Sequence, residues 1–305
     1  MSISFYVKNK KKFLGYEKVL NVEEALTILD KELNTYNTGN IDINDLLLSP
    51  VSNYQCLLIG EDKVSARGFE LSYDDKNKDY AVRIFTPSSR EDWLLALEYI
   101  KALAKKFGSE IINERGETFT IDNIDKFDYI NDILYGIEVI TSNMKSGKTD
   151  NYTIFGIDRV VSFNQEMLDK INNSDSPIDT FSNIVKEIQY LDAYSAHQQF
   201  YKNKADGKII GAYTLTQNLR TILPYKPSVE FENSDIVKNE DISLWNIGLV
   251  TINGDENDPN SYQPVGRIAY DEFIKKIPKE KYKFIDASYI MVEPLSKEEI
   301  LDLLK

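Results

Sequence analysis

Apolar and polar side chains alternate from Ile3 through Phe5 to Val7, and the β-branched and aromatic residues there predict a strand. The period then lengthens. Val22, Ala25, Leu26, Leu29 and Leu33 share one helical face behind Asn21, which can cap the helix, with Glu24 three residues on. Residues 35–44 are turn-rich, and Leu46 to Leu48 predict a short helical turn. The clearest block runs from Gly68 to Ile121. Phe69, Leu71 and Tyr73 alternate with polar residues, the run Asp74 to Asn77 turns the chain, and Tyr80, Val82 and Ile84 alternate again, so a β-hairpin is expected. Pro87 stops the second strand and Ser89 caps a helix, with Asp92 near its positive end. Trp93, Leu97, Ile100, Ala104 and Phe107 recur at helical spacing, and Gly108 supplies the left-handed stop. Two short strands follow around Arg115-Gly116, giving the order ββαββ. Asp122 is expected to cap a further helix with the stripe Ile124, Phe127, Ile130, Leu134 and Ile137.

The polar stretch from Ser142 to Asn151 breaks this pattern and suggests a boundary: an N-terminal domain over residues 1–143, a linker over 144–150 and a C-terminal domain over 151–305. The second part begins with a strand near Tyr152 to Phe155. Helices follow near Asn164–Ile171 and Ile178–Leu191. A hairpin turns at Asn203 to Gly207, and strands are expected at Ser228–Phe231, Leu244–Ile252 and Ala287–Val292. Tyr270 to Lys276 reads as a helix, and Ser296 with Glu299 forms a capping box for the last one. Helices mixed with hairpins, without regular βαβ alternation, predict an α+β fold in two α+β halves.

Hydrophobic residues at 42% provide enough apolar material for a core. The formal charge of −13 is spread over both halves. Such a chain is repelled on average by phosphate backbones and anionic lipid, so neither nucleic acid nor membrane is expected as a partner, and a basic protein is favoured. The sequence leaves the oligomeric state open. The single cysteine, Cys56, lies in an apolar run and reads as a small buried hydrophobe. The N-terminal residues lack a basic segment ahead of an apolar one, and no stretch approaches the roughly 20 apolar residues of a membrane helix. Together these features lead us to expect a cytoplasmic protein.

Candidate chemistry is sparse. His197 is the only histidine, which excludes a His-rich metal site and leaves a Ser-His-Asp device only one residue to use. Met144 to Thr149 ends like a phosphate-binding loop, but Ser142 stands where that motif needs glycine, and a helix precedes it where a strand is required. The loop Asn253 to Asn260 is the densest oxygen cluster. Asp255, Glu256, Asn257 and Asp258 are candidates for a hard cation, although EF-hand spacing is absent. Asp74, Asp75, Glu114, Glu117 and Asp122 could pair as acid and base only if geometry brings them together. Two lysine runs, Lys8 to Lys12 and Lys275 to Lys283, are basic islands, read as solvated faces. No motif requires a cofactor. The Trp93 stripe reads as core, yet Asp92-Trp93 is the most distinctive dipeptide, and with Glu114 and Glu117 it supplies interface candidates.

At this block the sequence carries a resemblance. Tyr80 to Arg83, Pro87 to Leu97, Leu103-Ala104 and Ile111 to Glu117, with the opening Ile3 to Asn9, are similar to the bacterial family known as domain of unknown function 4299. The resemblance brings no catalytic residues. Some families loosely similar around the Asp-Trp helix are associated with toxin-immunity loci. The expectation is therefore a non-enzymatic protein-binding protein of immunity or antitoxin type. A hydrolase-type enzyme using carboxylates or a loop-bound cation, and a homo-oligomeric structural protein, are the alternatives.

Overall fold

In the computed structural model, which describes every residue except 40, 148 and 205, the chain divides into two compact units, Met1–Tyr190 and Leu191–Lys305. The first contains β1 (Ser2–Lys8), α1 (Val22–Leu26), β2 (Leu33–Thr35), α2 (Ile43–Leu48), β3 (Leu57–Glu61), β4 (Phe69–Asp74), β5 (Asp79–Phe85), α3 (Arg90–Phe107), β6 (Ile111–Asn113), β7 (Thr118–Phe119), α4 (Tyr129–Lys145), β8 (Tyr152–Phe155), β9 (Val160–Phe163), α5 (Gln165–Asn172) and α6 (Pro177–Gln189). Seven strands form one antiparallel sheet in the order β2-β3-β4-β5-β1-β6-β7, and β8 pairs with β9.

The ββαββ expectation holds. The β4–β5 register places Phe69 opposite Ile84 and Leu71 opposite Val82, so one face is continuously apolar. Asp74 builds the turn by accepting from the backbone N–H groups of Lys76 at 2.7 Å and Asn77 at 3.1 Å. Ser89 caps α3 through a 3.1 Å bond from Asp92 N, and Gly108 ends it at φ +62°. The buried stripe of α3, including Trp93, Leu97 and Ile100, lies against β1, whose Ile3, Phe5 and Val7 have no exposure.

Three expectations for this unit and its bounds are corrected. The helix after Asn21 ends at Leu26, because Thr27 caps it by bonding back to Glu23 O, and Leu33 instead pairs with Glu61 at the sheet edge. The helix expected from Asp122 starts at Tyr129 behind the cap Asp128, preceded by a short turn at Ile124–Lys126. The polar stretch 144–150 connects α4 to β8 inside the first unit. α5 and α6 pack back onto that unit: Asn172 donates to Thr141 Oγ1 at 3.0 Å, Arg90 pairs with Asp179 at 3.0 Å, and Tyr190 donates to Ser65 O at 2.7 Å. Division therefore falls after Tyr190. Lys148 of the phosphate-loop-like run, and Ala205 of the expected turn at 203–207, lie outside the described residues.

The second unit contains β10 (Tyr194–Ser195), β11 (Gln199–Lys202), β12 (Ile209–Thr216), β13 (Thr221–Pro224), β14 (Ile242–Ile252), β15 (Tyr262–Ala269), α7 (Tyr270–Lys276), β16 (Tyr282–Phe284), β17 (Tyr289–Val292) and α8 (Lys297–Asp302). Its strands form two four-stranded sheets, β10-β13-β17-β16 and β11-β12-β14-β15. Tyr213, Leu223, Ile247, Phe273, Ile290 and Ile300 belong to its core. β12 and β14 run parallel, which requires a long crossover, and the segment between Pro224 and Ile242 is part of it. No strand forms at Ser228–Phe231. That segment ends in a short turn at Phe231–Asn233, because its backbone is held by side chains and not by a neighbouring strand.

Candidate functional site

Asp92 and Trp93 are fully buried, so neither presents a surface to a partner. The Asp92 carboxylate faces the turn before β4. It accepts from Ala66 N at 3.2 Å, Arg67 N at 2.8 Å, Gly68 N at 2.9 Å and Ser89 Oγ at 2.7 Å. The buried Arg67 side chain donates to Phe155 O at 2.7 Å and to Pro87 O, and covers the Phe85 ring. Burial pushes its guanidinium down to about 10, which leaves it charged at neutral pH. Trp93 stacks on Phe127 with ring centroids 5.3 Å apart. This arrangement is an internal brace. Glu114 and Glu117 remain exposed, yet each works locally: Glu114 accepts from Ser4 N at 3.1 Å and Glu117 from Asn113 Nδ2 at 2.6 Å.

In the 253–260 loop, Asp255 accepts from Asn257 N at 2.9 Å and Asp258 from Asn260 N at 2.9 Å, so both carboxylates close their own turns. Among the described residues no three His, Cys, Asp or Glu side chains gather as metal ligands would. Cys56 is half-buried, and burial pushes its thiol up to about 11, which keeps it protonated and weakly nucleophilic at neutral pH. His197 is exposed with its ring edge-on to Tyr194, centroids 5.9 Å apart. Two carboxyls, Asp132 and Glu230, are pushed above the usual carboxylate range by burial, and each meets a hydroxyl: Thr86 at 2.9 Å and Tyr213 at 3.2 Å.

Glu230 leads to the feature that sequence reasoning missed. The segment between β13 and β14 is long but firmly held. Gln198 organises it, donating to Ser228 O and to Tyr213 Oη, both at 2.6 Å, and accepting from Glu230 N at 3.0 Å and Asn233 Nδ2 at 3.1 Å. Val229 N donates to Asn239 Oδ1 at 2.7 Å, and Val237 is buried beneath. From this anchored frame Phe231 and Ile236 project with 76% and 79% of their surface exposed. The same loop carries the exposed acids Glu232, Asp235, Glu240 and Asp241, while Lys238 folds back to Ser234 O. Long ordered loops that display apolar residues are characteristic of recognition surfaces. The signal in the sequence was two apolar residues spaced for neither strand nor helix, set in a run of acids.

Because burial raises the Glu230 carboxyl, the folded protein holds that proton more tightly than the unfolded chain. The associated stability is present below the ordinary carboxylate range and is lost as pH rises through the folded value. Glu230→Gln, which keeps an acceptor for Tyr213, should therefore gain stability relative to the parent as pH rises from about 4 to 7. Urea midpoints of both proteins across that range check this, and parallel curves would show that the charge is not penalised.

No curated protein and no solved structure matches the chain. A family model described as "Domain of unknown function (DUF4299)" matches residues 2–303, nearly the whole chain, and the protein belongs to that family.

Proposed function

We propose that this chain is a non-enzymatic protein-binding protein whose 230–241 loop docks a basic partner, in the manner of an immunity or antitoxin protein. The observation that carries this reading is the pair Phe231 and Ile236, exposed on a held loop that also carries the exposed acids Glu232, Asp235, Glu240 and Asp241. Two exposed apolar anchors inside a charged rim are the makings of a small hot spot. The overall charge of −13 would steer a cationic partner toward it and speed encounter at low salt. The frame keeps the ordering cost low, since Gln198 already fixes the backbone that binding would have to immobilise. We place this activity in the cytoplasm, in keeping with a chain that has one cysteine.

The test installs a photo-crosslinking amino acid at position 231 in the native host and identifies the adducts. A basic polypeptide should be captured, and Ile236→Asp or a double Asp235→Lys, Glu240→Lys variant should reduce its purified affinity about tenfold or more. The affinity should also fall as salt rises. Adducts no more abundant than at a control surface position, or a partner that binds the charge-reversed protein equally well, would refute the reading.

A further inference from the structure

At the end of β1 the chain leaves the sheet as a narrow hairpin, residues 9–18. Its neck is built with care. Asn9 is buried, and its Nδ2 donates to Glu17 O at 2.8 Å and Tyr73 Oη at 3.1 Å, while its N–H donates to Lys78 O at 2.8 Å. Glu17 N returns to Lys10 O at 2.8 Å, Lys11 bridges to Tyr16, and Lys12 N donates to Gly15 O at 3.0 Å. Gly15, at φ +80°, makes the reversal, and space beyond its Cα is open. Leu20 N then donates to Tyr80 Oη at 2.8 Å, so both ends of the hairpin are fastened to the sheet.

At the tip stand Phe13 and Leu14, exposed by 102% and 86%, with Tyr16 partly exposed behind them. A single exposed leucine is ordinary. Two adjacent apolar side chains this exposed at the apex of a hairpin braced by a buried asparagine are not a by-product of core packing. Around them are the exposed Lys10, Lys11, Lys12 and Lys18. The one acid of the hairpin, Glu17, is paired with Lys12 at 3.3 Å.

We propose that this hairpin docks the protein on an anionic membrane surface. Phe13 and Leu14 enter the boundary between headgroups and acyl chains, Tyr16 lies at headgroup level, and Lys10, Lys11, Lys12 and Lys18 face lipid phosphates. Apolar insertion and a polybasic patch together make the two-part signal that stable peripheral attachment needs. The average charge of −13 argues against such a surface, but screening limits its reach to about 8 Å at physiological salt. The charges of the hairpin itself then count most, and those are four lysines against the one acid, Glu17. A lipid surface fits both halves of the device, with anionic headgroups for the lysines and an apolar boundary for a two-residue apex exposed at the tip of the hairpin.

The test uses the intact chain in flotation with phosphatidylglycerol–phosphatidylcholine vesicles and with pure phosphatidylcholine vesicles. The parent should bind the mixed vesicles and not the neutral ones. A Phe13→Ser, Leu14→Ser double variant should bind about a hundredfold more weakly, and so should a Lys10→Glu, Lys11→Glu, Lys12→Glu triple variant. All these positions are exposed, so unchanged urea midpoints separate lost binding from lost folding. The proposal is overturned if the parent ignores the mixed vesicles or if the apolar double variant binds as well as the parent. It is equally overturned if the lysine variant loses only a salt-sensitive self-association seen by light scattering, which would make the hairpin a contact between copies.

Discussion

Asp92→Ala should destabilise the first unit by about 4 kcal/mol, a drop of roughly 10 °C in its melting temperature. Removal of the carboxylate strands the backbone N–H groups of Ala66, Arg67 and Gly68 in a site with no exposure. Each buried donor left without an acceptor costs about 1–3 kcal/mol, and water entering the space recovers part of the total. The segment cannot move aside to find other acceptors. Gly68 turns it at φ +63°, and its backbone approaches so closely that a Cβ there would sit 2.3 Å from Ile59 O. Arg67 adds to the loss, because a guanidinium already disfavoured by burial would give up its leading favourable charge. Asp92→Asn keeps one acceptor oxygen but turns an amide N–H₂ toward backbone donors, and should cost about half as much. Urea titration followed by circular dichroism measures all three proteins. A midpoint unchanged in the alanine variant would mean that the carboxylate braces nothing.

The brace shows where sequence patterns carry information and where they stop. α3 was legible from end to end, since its cap, stripe and left-handed stop are local features with local causes. The β4–β5 hairpin was legible for the same reason. Leu29 and Leu33 keep helical spacing with Val22, yet Leu33 serves an edge strand, because pairing with β3 outweighs a weak helical preference. The division after Tyr190 was hidden, because a polar loop looks the same whether it joins two domains or two elements of one. Asp92 stands at a helix start, where an acid is usually solvated. Its partners at 66–68 lie far away in sequence, so only the fold could reveal them. Net charge is likewise a global quantity. It describes the chain from a distance, whereas the 230–241 loop and the 9–18 hairpin are local surfaces of opposite sign. Phe231 alternates with Val229 and so passes for part of a strand, and only the fold shows that it is exposed on a loop.

Trp93→Ala should cost about 4 kcal/mol as well, by a separate mechanism. The indole is stacked on Phe127 at 5.3 Å and lies near-parallel to Tyr129 at 6.2 Å, with the edge of Phe5 against it at 6.4 Å and 89°. Alanine would leave a cavity among rings that are fixed by β1 on one side and by the turn before α4 on the other, so collapse is limited. Trp93→Phe should recover most of the loss. Nε1 finds no acceptor among the described residues, so phenylalanine forgoes ring area without giving up a hydrogen bond. The order of urea midpoints, parent above Phe well above Ala, distinguishes packing from a surface role. If Trp93 served an interface, both variants would unfold at the parent's midpoint and differ only in binding. The side chains of Asp92 and Trp93 face different neighbours, so the double alanine variant should lose close to the sum of the two effects, and a much smaller loss would show that they brace one shared contact.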